Sequence, residues 1–253
     1  RTEYSVMNTT VAFLAQTLAI FMGFFTRVVF TRTLSEGYVG INGLFTDILN
    51  ILSLSELGVG TAITYALYAP IARRDIKKQQ ILMRMFRNFY RITAGFVLLA
   101  GLCLIPFLDI LMKDRPDVNH LIIIYLLYLL NSVVSYLLIY KKTLVDAHQM
   151  NYITVMYHNG FLVLQDILQI MVLFLTRNFI LFLVIAVVCT IIGNICMSRK
   201  ADRLFPYLKE PCKEQLPQEE RHDILRNVKA MLMHKIGNVV VNNTDNLLIS
   251  SFV

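Results

Sequence analysis

With 56% of its 253 residues hydrophobic and only 16% charged, and a mean hydropathy of +0.58, this chain is too apolar for a water-soluble domain, whose charged share runs near a quarter. The net charge of +7 reads as membrane topology and headgroup contact, not as a nucleic-acid surface. Four cysteines without CxxC or Cys/His spacing give neither a zinc site nor a disulfide framework.

A helix needs about 20 mostly apolar residues to cross a bilayer core. Six runs qualify: Met7–Thr31, Ile41–Leu67, Ile92–Leu111, Leu121–Tyr140, Ile153–Leu175 and Phe179–Met197. A seventh starts near Ala230 and reaches Val253. Strand-like alternation is absent, and in lipid a helix satisfies its own backbone polar groups. After the second run, ARRDIKKQQILMRMFRNFYR (Ala72–Arg91) mixes cations with Ile81, Leu82, Met85, Phe86 and Phe89. It predicts an interfacial amphipathic helix leading into the third span. After the sixth, LKEPCKEQLPQEERHDILRNVK (Leu208–Lys229) is the longest polar stretch and carries two prolines.

The expected architecture is an all-α polytopic membrane protein. Residues 1–207 form a six-helix N-terminal lobe, 208–229 a cytoplasmic linker with an amphipathic helix, and 230–253 the first helix of a second, truncated lobe. Because it begins with Arg1 and stops within an apolar run, the chain reads as part of a longer protein. A cytoplasmic N-terminus collects eighteen Lys and Arg residues on the inside and leaves Arg32, Lys113, Arg115 and Arg177 outside, as the positive-inside rule requires.

Ionisable residues inside spans are the strongest functional pointers. Arg27, Glu56, Asp166 and Asp245 would together cost roughly 10–14 kcal/mol facing lipid. Helical spacing gathers them onto stripes. Gln16, Gly23 and Arg27 share one face of the first run, and Asn42, Ser53, Glu56, Gly60 and Thr64 one face of the second. His158, Asn159, Gln165, Asp166 and Gln169 edge the fifth, and Lys235, Asn238, Asn242 and Asp245 align on the seventh. Bland readings stand beside these. Arg27 snorkels to headgroups or faces a cavity, Lys235 is a headgroup anchor or a ligand for an anion, and Asp166 bonds a neighbouring helix or serves transport. No HExxH, GxSxG, Walker or GxGxxG motif occurs, so neither enzyme chemistry, metal nor cofactor is expected.

GYVGINGLFTDILNILSLSELGVGTAITYALYAPIARRD (Gly37–Asp75) resembles the signature region of bacterial oligosaccharide flippases. These form the polysaccharide-biosynthesis branch of the multidrug/oligosaccharidyl-lipid/polysaccharide exporter superfamily. YLLYLLNSVVSYLLIYKKTLVDAHQ (Tyr125–Gln149) fits the same family, and HKIGNVVVNNTDNLLISSFV (His234–Val253) is similar to the start of its seventh helix. The resemblance implies two six-helix lobes and alternating access for undecaprenyl-diphosphate-linked saccharides. It also implies a cavity lined by the first, second and seventh helices, with Arg27 near the pyrophosphate. A weak internal match, FFTRVVFTRTL (Phe24–Leu34) with NNTDNLLISSF (Asn242–Phe252), sets Arg27 opposite Asp245.

The expected transporter therefore binds diphosphate through Arg27 and Lys235, and sugar hydroxyls through Glu56, Asn42 and Ser53. Asp245 with Asn242 couples H+ or Na+. It sits in the cell membrane as a multi-pass protein among membrane lipids, and needs its second half for activity. The rivals are a cation-coupled multidrug exporter of the same superfamily, which would favour an acidic cavity, and a membrane-embedded polysaccharide-synthesis enzyme, for which the outside loops are too short.

Overall fold

A computed structural model describes residues 2–53, 59–108, 118, 120–210, 216–224, 226–227, 229–230 and 233. Between Thr2 and Leu204 they form eight α-helices: α1 (Thr2–Thr33), α2 (Glu36–Ser53), α3 (Val59–Ala72), α4 (Ile76–Leu104), α5 (Leu121–Tyr136), α6 (Ile139–Ala147), α7 (Asn151–Thr176) and α8 (Phe179–Leu204). Short 3-10 turns follow α4 and α8, and no strand occurs among the described residues. Among the described residues five stretches are long and apolar enough to cross a membrane: Asn8–Thr33, Ile76–Phe107, Leu121–Ala147, Asn151–Thr176 and Phe179–Leu204. The protein is an all-α polytopic membrane protein, the architecture that leaves no backbone polar group unpaired in lipid. Of the second apolar run, α2 and α3 are the described parts. Residues 54–58, and residues 234–253 of the seventh run, lie outside the described residues.

The predicted interfacial helix is not a separate element. Residues 76–91 and the third span are one helix, α4, of 29 residues, about 43 Å long at 1.5 Å per residue. Asp75 caps it by accepting a hydrogen bond from the Lys78 amide at 2.9 Å. Gln79, Leu82, Met83, Phe86, Tyr90, Thr93, Ala94, Val97 and Gly101 form one buried stripe along its whole length. The apolar face of 76–91 thus packs on protein, and the helix overshoots a hydrocarbon core of about 30 Å with its basic residues at one end.

Packing divides into two apolar clusters. At the basic end, Leu67, Leu82, Met83, Phe86, Leu144, Val145, Met197, Ala201 and Phe205 join α3, α4, α6 and α8. At the opposite end, Phe30, Ile41, Phe45, Val97, Tyr125, Leu129, Leu173 and Phe179 join α1, α2, α4, α5, α7 and α8. There Tyr125 donates to the Gly101 carbonyl at 2.8 Å.

α1 lies chiefly along α7, and polar pairs fix their parallel register. Asn8 donates to the Gln149 carbonyl (2.9 Å) and accepts from the Tyr152 amide (2.8 Å). Asn159 donates to Gln16 (3.4 Å), and Thr26 to Asp166 (3.0 Å). The polar edge read on the fifth run is therefore largely a helix–helix seam. The segment read as a linker docks onto α4: Lys78 pairs with Glu220 at 2.8 Å, and Gln80 donates to the Glu210 carboxylate at 3.4 Å.

Candidate functional site

Two places gather chemistry that the cores do not use. The first is near the C-terminal end of α1. Arg27 is exposed, its guanidinium 5.7 Å from the centre of the Phe30 ring, a cation–π contact. Phe30 packs on Phe179 and Phe179 on Tyr128, ring centroids 5.6 and 6.5 Å apart, and the Tyr128 hydroxyl donates to the side-chain carbonyl of Asn42. Among the described residues no carboxylate stands within ion-pairing distance of Arg27. Two of the expected site residues, Arg27 and Asn42, are thus linked through Phe30, Phe179 and Tyr128. Ser53 closes α2. Glu56, Lys235, Asn242 and Asp245 lie outside the described residues, as does the whole stripe expected on the seventh run.

The second place surrounds the α5–α6 joint and was missed by sequence reasoning. The backbone turns at Leu137 (φ −69°, ψ 131°) and Leu138 (φ 72°, ψ −5°), the geometry of a type II turn. A type II turn favours glycine at its second central position, and here a leucine occupies it. The interruption leaves the Val134 carbonyl free of its helical partner. It accepts instead from the Leu137 amide at 3.1 Å and from the Asn194 side chain of α8 at 3.0 Å.

Three cavities meet at this joint. One of about 230 Å³ is lined by Ser135, Lys142, Tyr157, His158, Thr190 and Asn194 among others. A second of about 450 Å³ lies between α4, α5 and α8 beside Arg87 and Arg91. The third, about 460 Å³, is a polar groove bounded by Gly60, Thr64, Tyr65, Tyr68, Lys142 and Asp146. Consecutive lysines take different parts here. The Lys141 ammonium is held by Asp202 and Ser198, each at 2.8 Å. Lys142 makes no ion pair among the described residues, and its side chain borders two of the cavities. Asp146, one turn on, takes the Thr154 hydroxyl at 2.6 Å. Tyr65 and Tyr68 set their rings edge to face, 5.8 Å apart.

The signal for this second site is faint in the sequence. Lys141 and Lys142 follow an apolar run and read there as topology, and neither Gly nor Pro marks the Leu137–Leu138 turn. Compared with models of protein families, with curated proteins and with solved structures, the chain matches none.

Proposed function

We propose that this chain is part of a transporter that moves undecaprenyl-diphosphate-linked oligosaccharide across the cell membrane by alternating access, with its N-terminus in the cytoplasm. The observation that carries the reading is Arg27. It is a permanent cation within a membrane-crossing stretch, exposed and without a described carboxylate, and joined to the Asn42–Tyr128 pair through Phe30 and Phe179. An uncompensated arginine at such a depth is costly unless an anion or water reaches it, and a guanidinium fork suits paired phosphate oxygens. The groove bounded by Tyr65, Tyr68, Lys142 and Asp146 adds support, because aromatic walls with a few polar groups suit a sugar's mixed surface. Lys235 completes the anion site in this proposal, while Glu56 and Ser53 meet saccharide hydroxyls. Asp245 and Asn242 exchange H+ or Na+ as the lobes rock.

The test is reconstitution of the complete protein in liposomes with a labelled polyprenyl-diphosphate oligosaccharide. Arg27→Ala, with expression intact, is expected to slow leaflet exchange by at least about tenfold, the value of a charge-assisted contact. Unchanged exchange removes Arg27 from the mechanism.

A further inference from the structure

The cavity between α4, α5 and α8 has a composition unlike the other two. Val134, Leu137, Leu138, Ile191 and Ile195 give it an apolar wall, and Arg87 and Arg91, one helical turn apart on α4, stand at its margin. Arg87 is half-buried. Tyr140 lines the cavity with it, and its Nε is fully buried with no hydrogen-bond partner among the described residues. A buried guanidinium nitrogen left unmatched is expensive, and a described neighbour on its own helix, Arg91, adds charge of the same sign. Arg91 itself is exposed. The wall exists because the α5–α6 joint turns Leu137 and Leu138 out of helical register, opening a trough of about 450 Å³. That volume lies within the range of formed ligand sites, about 300–1,000 Å³.

Two arginines beside an aliphatic trough on a membrane-facing bundle match one ligand chemistry. We propose that this cavity binds a lipid whose headgroup carries an anionic phosphate, with the Arg87 and Arg91 guanidinium groups on the phosphate and the acyl or prenyl chain along Leu137, Ile191 and Ile195. The arginines supply planar donor forks for the phosphate oxygens. A free phosphate ion would leave the aliphatic wall uncovered, and a neutral lipid would leave the guanidinium groups uncompensated. The inference stands apart from the transport reading, since it concerns a lipid held at the bundle's flank whatever the cargo.

The chain contains no tryptophan, so Leu137→Trp, at a side chain 42% exposed, introduces a single fluorescent reporter in the trough. The 253-residue chain carrying it is placed in nanodiscs with increasing fractions of phosphatidic acid brominated on its acyl chains. Quenching is expected to saturate at a low mole fraction of this lipid. Brominated phosphatidylcholine is expected to quench only in proportion to its abundance. Arg87→Gln should raise the half-saturating fraction by about tenfold. Arg91→Gln, at an exposed position, provides a second reduction in a variant whose fold is not at stake. Equal quenching by the two lipids, or unaltered titration in both arginine variants, overturns the site. Displacement of the brominated lipid by equimolar inorganic phosphate overturns the lipid as occupant. Leaflet exchange of oligosaccharide is read separately, so its loss or retention leaves the quenching result intact.

Discussion

His148 and the Lys141–Lys142 pair show how much single side chains depend on their partners. The His148 ring lies against Phe205, centroids 4.3 Å apart, and its Nδ1–H donates to the Leu144 carbonyl at 2.9 Å. Burial pushes its pKa below the ordinary 6.5, and the bond to Leu144 offsets only part of that. The folded state thus binds the proton less readily than the unfolded chain does. Its contribution to stability is complete above pH 6.5 and is lost as the pH falls through the lowered value. Thermal unfolding of the detergent-solubilised chain between pH 8 and 5 should show a decline on the acid side, and His148→Gln should flatten it. An equal decline in the variant places the effect elsewhere. The lysines give a second test. The Lys141 and Asp202 side chains are only 14% and 21% exposed, so Lys141→Met leaves a largely desolvated carboxylate without its cation and should cost about 1.5–3 kcal/mol. Lys142→Met, with no ion pair to lose, should leave the unfolding temperature nearly unchanged. Equal losses in the two variants contradict the division of roles.

Among the elements, α4 and the α5–α6 joint depart most from the linear reading. In Ala72–Arg91 the period of the apolar residues is legible, but period does not say whether lipid or protein covers the face. The same stripe continues through Thr93, Val97 and Gly101, so α3, α6 and the 3-10 turn after α8 cover it from one end and α2 and α5 from the other. At the joint, Leu138 holds a positive φ in a sequence of ordinary helix formers. Neighbouring α8 stabilises the break by lending Asn194 to the Val134 carbonyl. Asn194→Leu leaves that carbonyl without its side-chain donor and should destabilise the protein by about 1–3 kcal/mol, read by chemical or thermal unfolding. A neutral result means that water satisfies the carbonyl as well as the amide does.

For the whole molecule, the length and apolarity of the runs were enough to establish an all-helical, multi-pass chain. Each helix closes its own backbone hydrogen bonds, so its existence is a local property that a linear reading captures. The positive bias of the loops is equally local. Which helices become neighbours is not, since any apolar face packs on any other without preference until shapes and polar pairs choose. Thr26 with Asp166, Asn159 with Gln16, and Asn8 with Tyr152 make that choice for α1 and α7, and they turn several residues with a functional look into structural ones. Of the expected site, Arg27 and Asn42 were readable as polar groups at membrane depth, while their link through Phe30, Phe179 and Tyr128 crosses four helices. The cavities at the α5–α6 joint were not readable at all. Lys141 and Lys142 are identical in type and adjacent in sequence, and they differ only in what the neighbouring helix presents to each. The sequence by itself determined that helices cross a membrane, because that is settled within each helix. The tertiary structure alone decided which charges are consumed and which are left facing open space, because a charge's partner comes from another part of the chain.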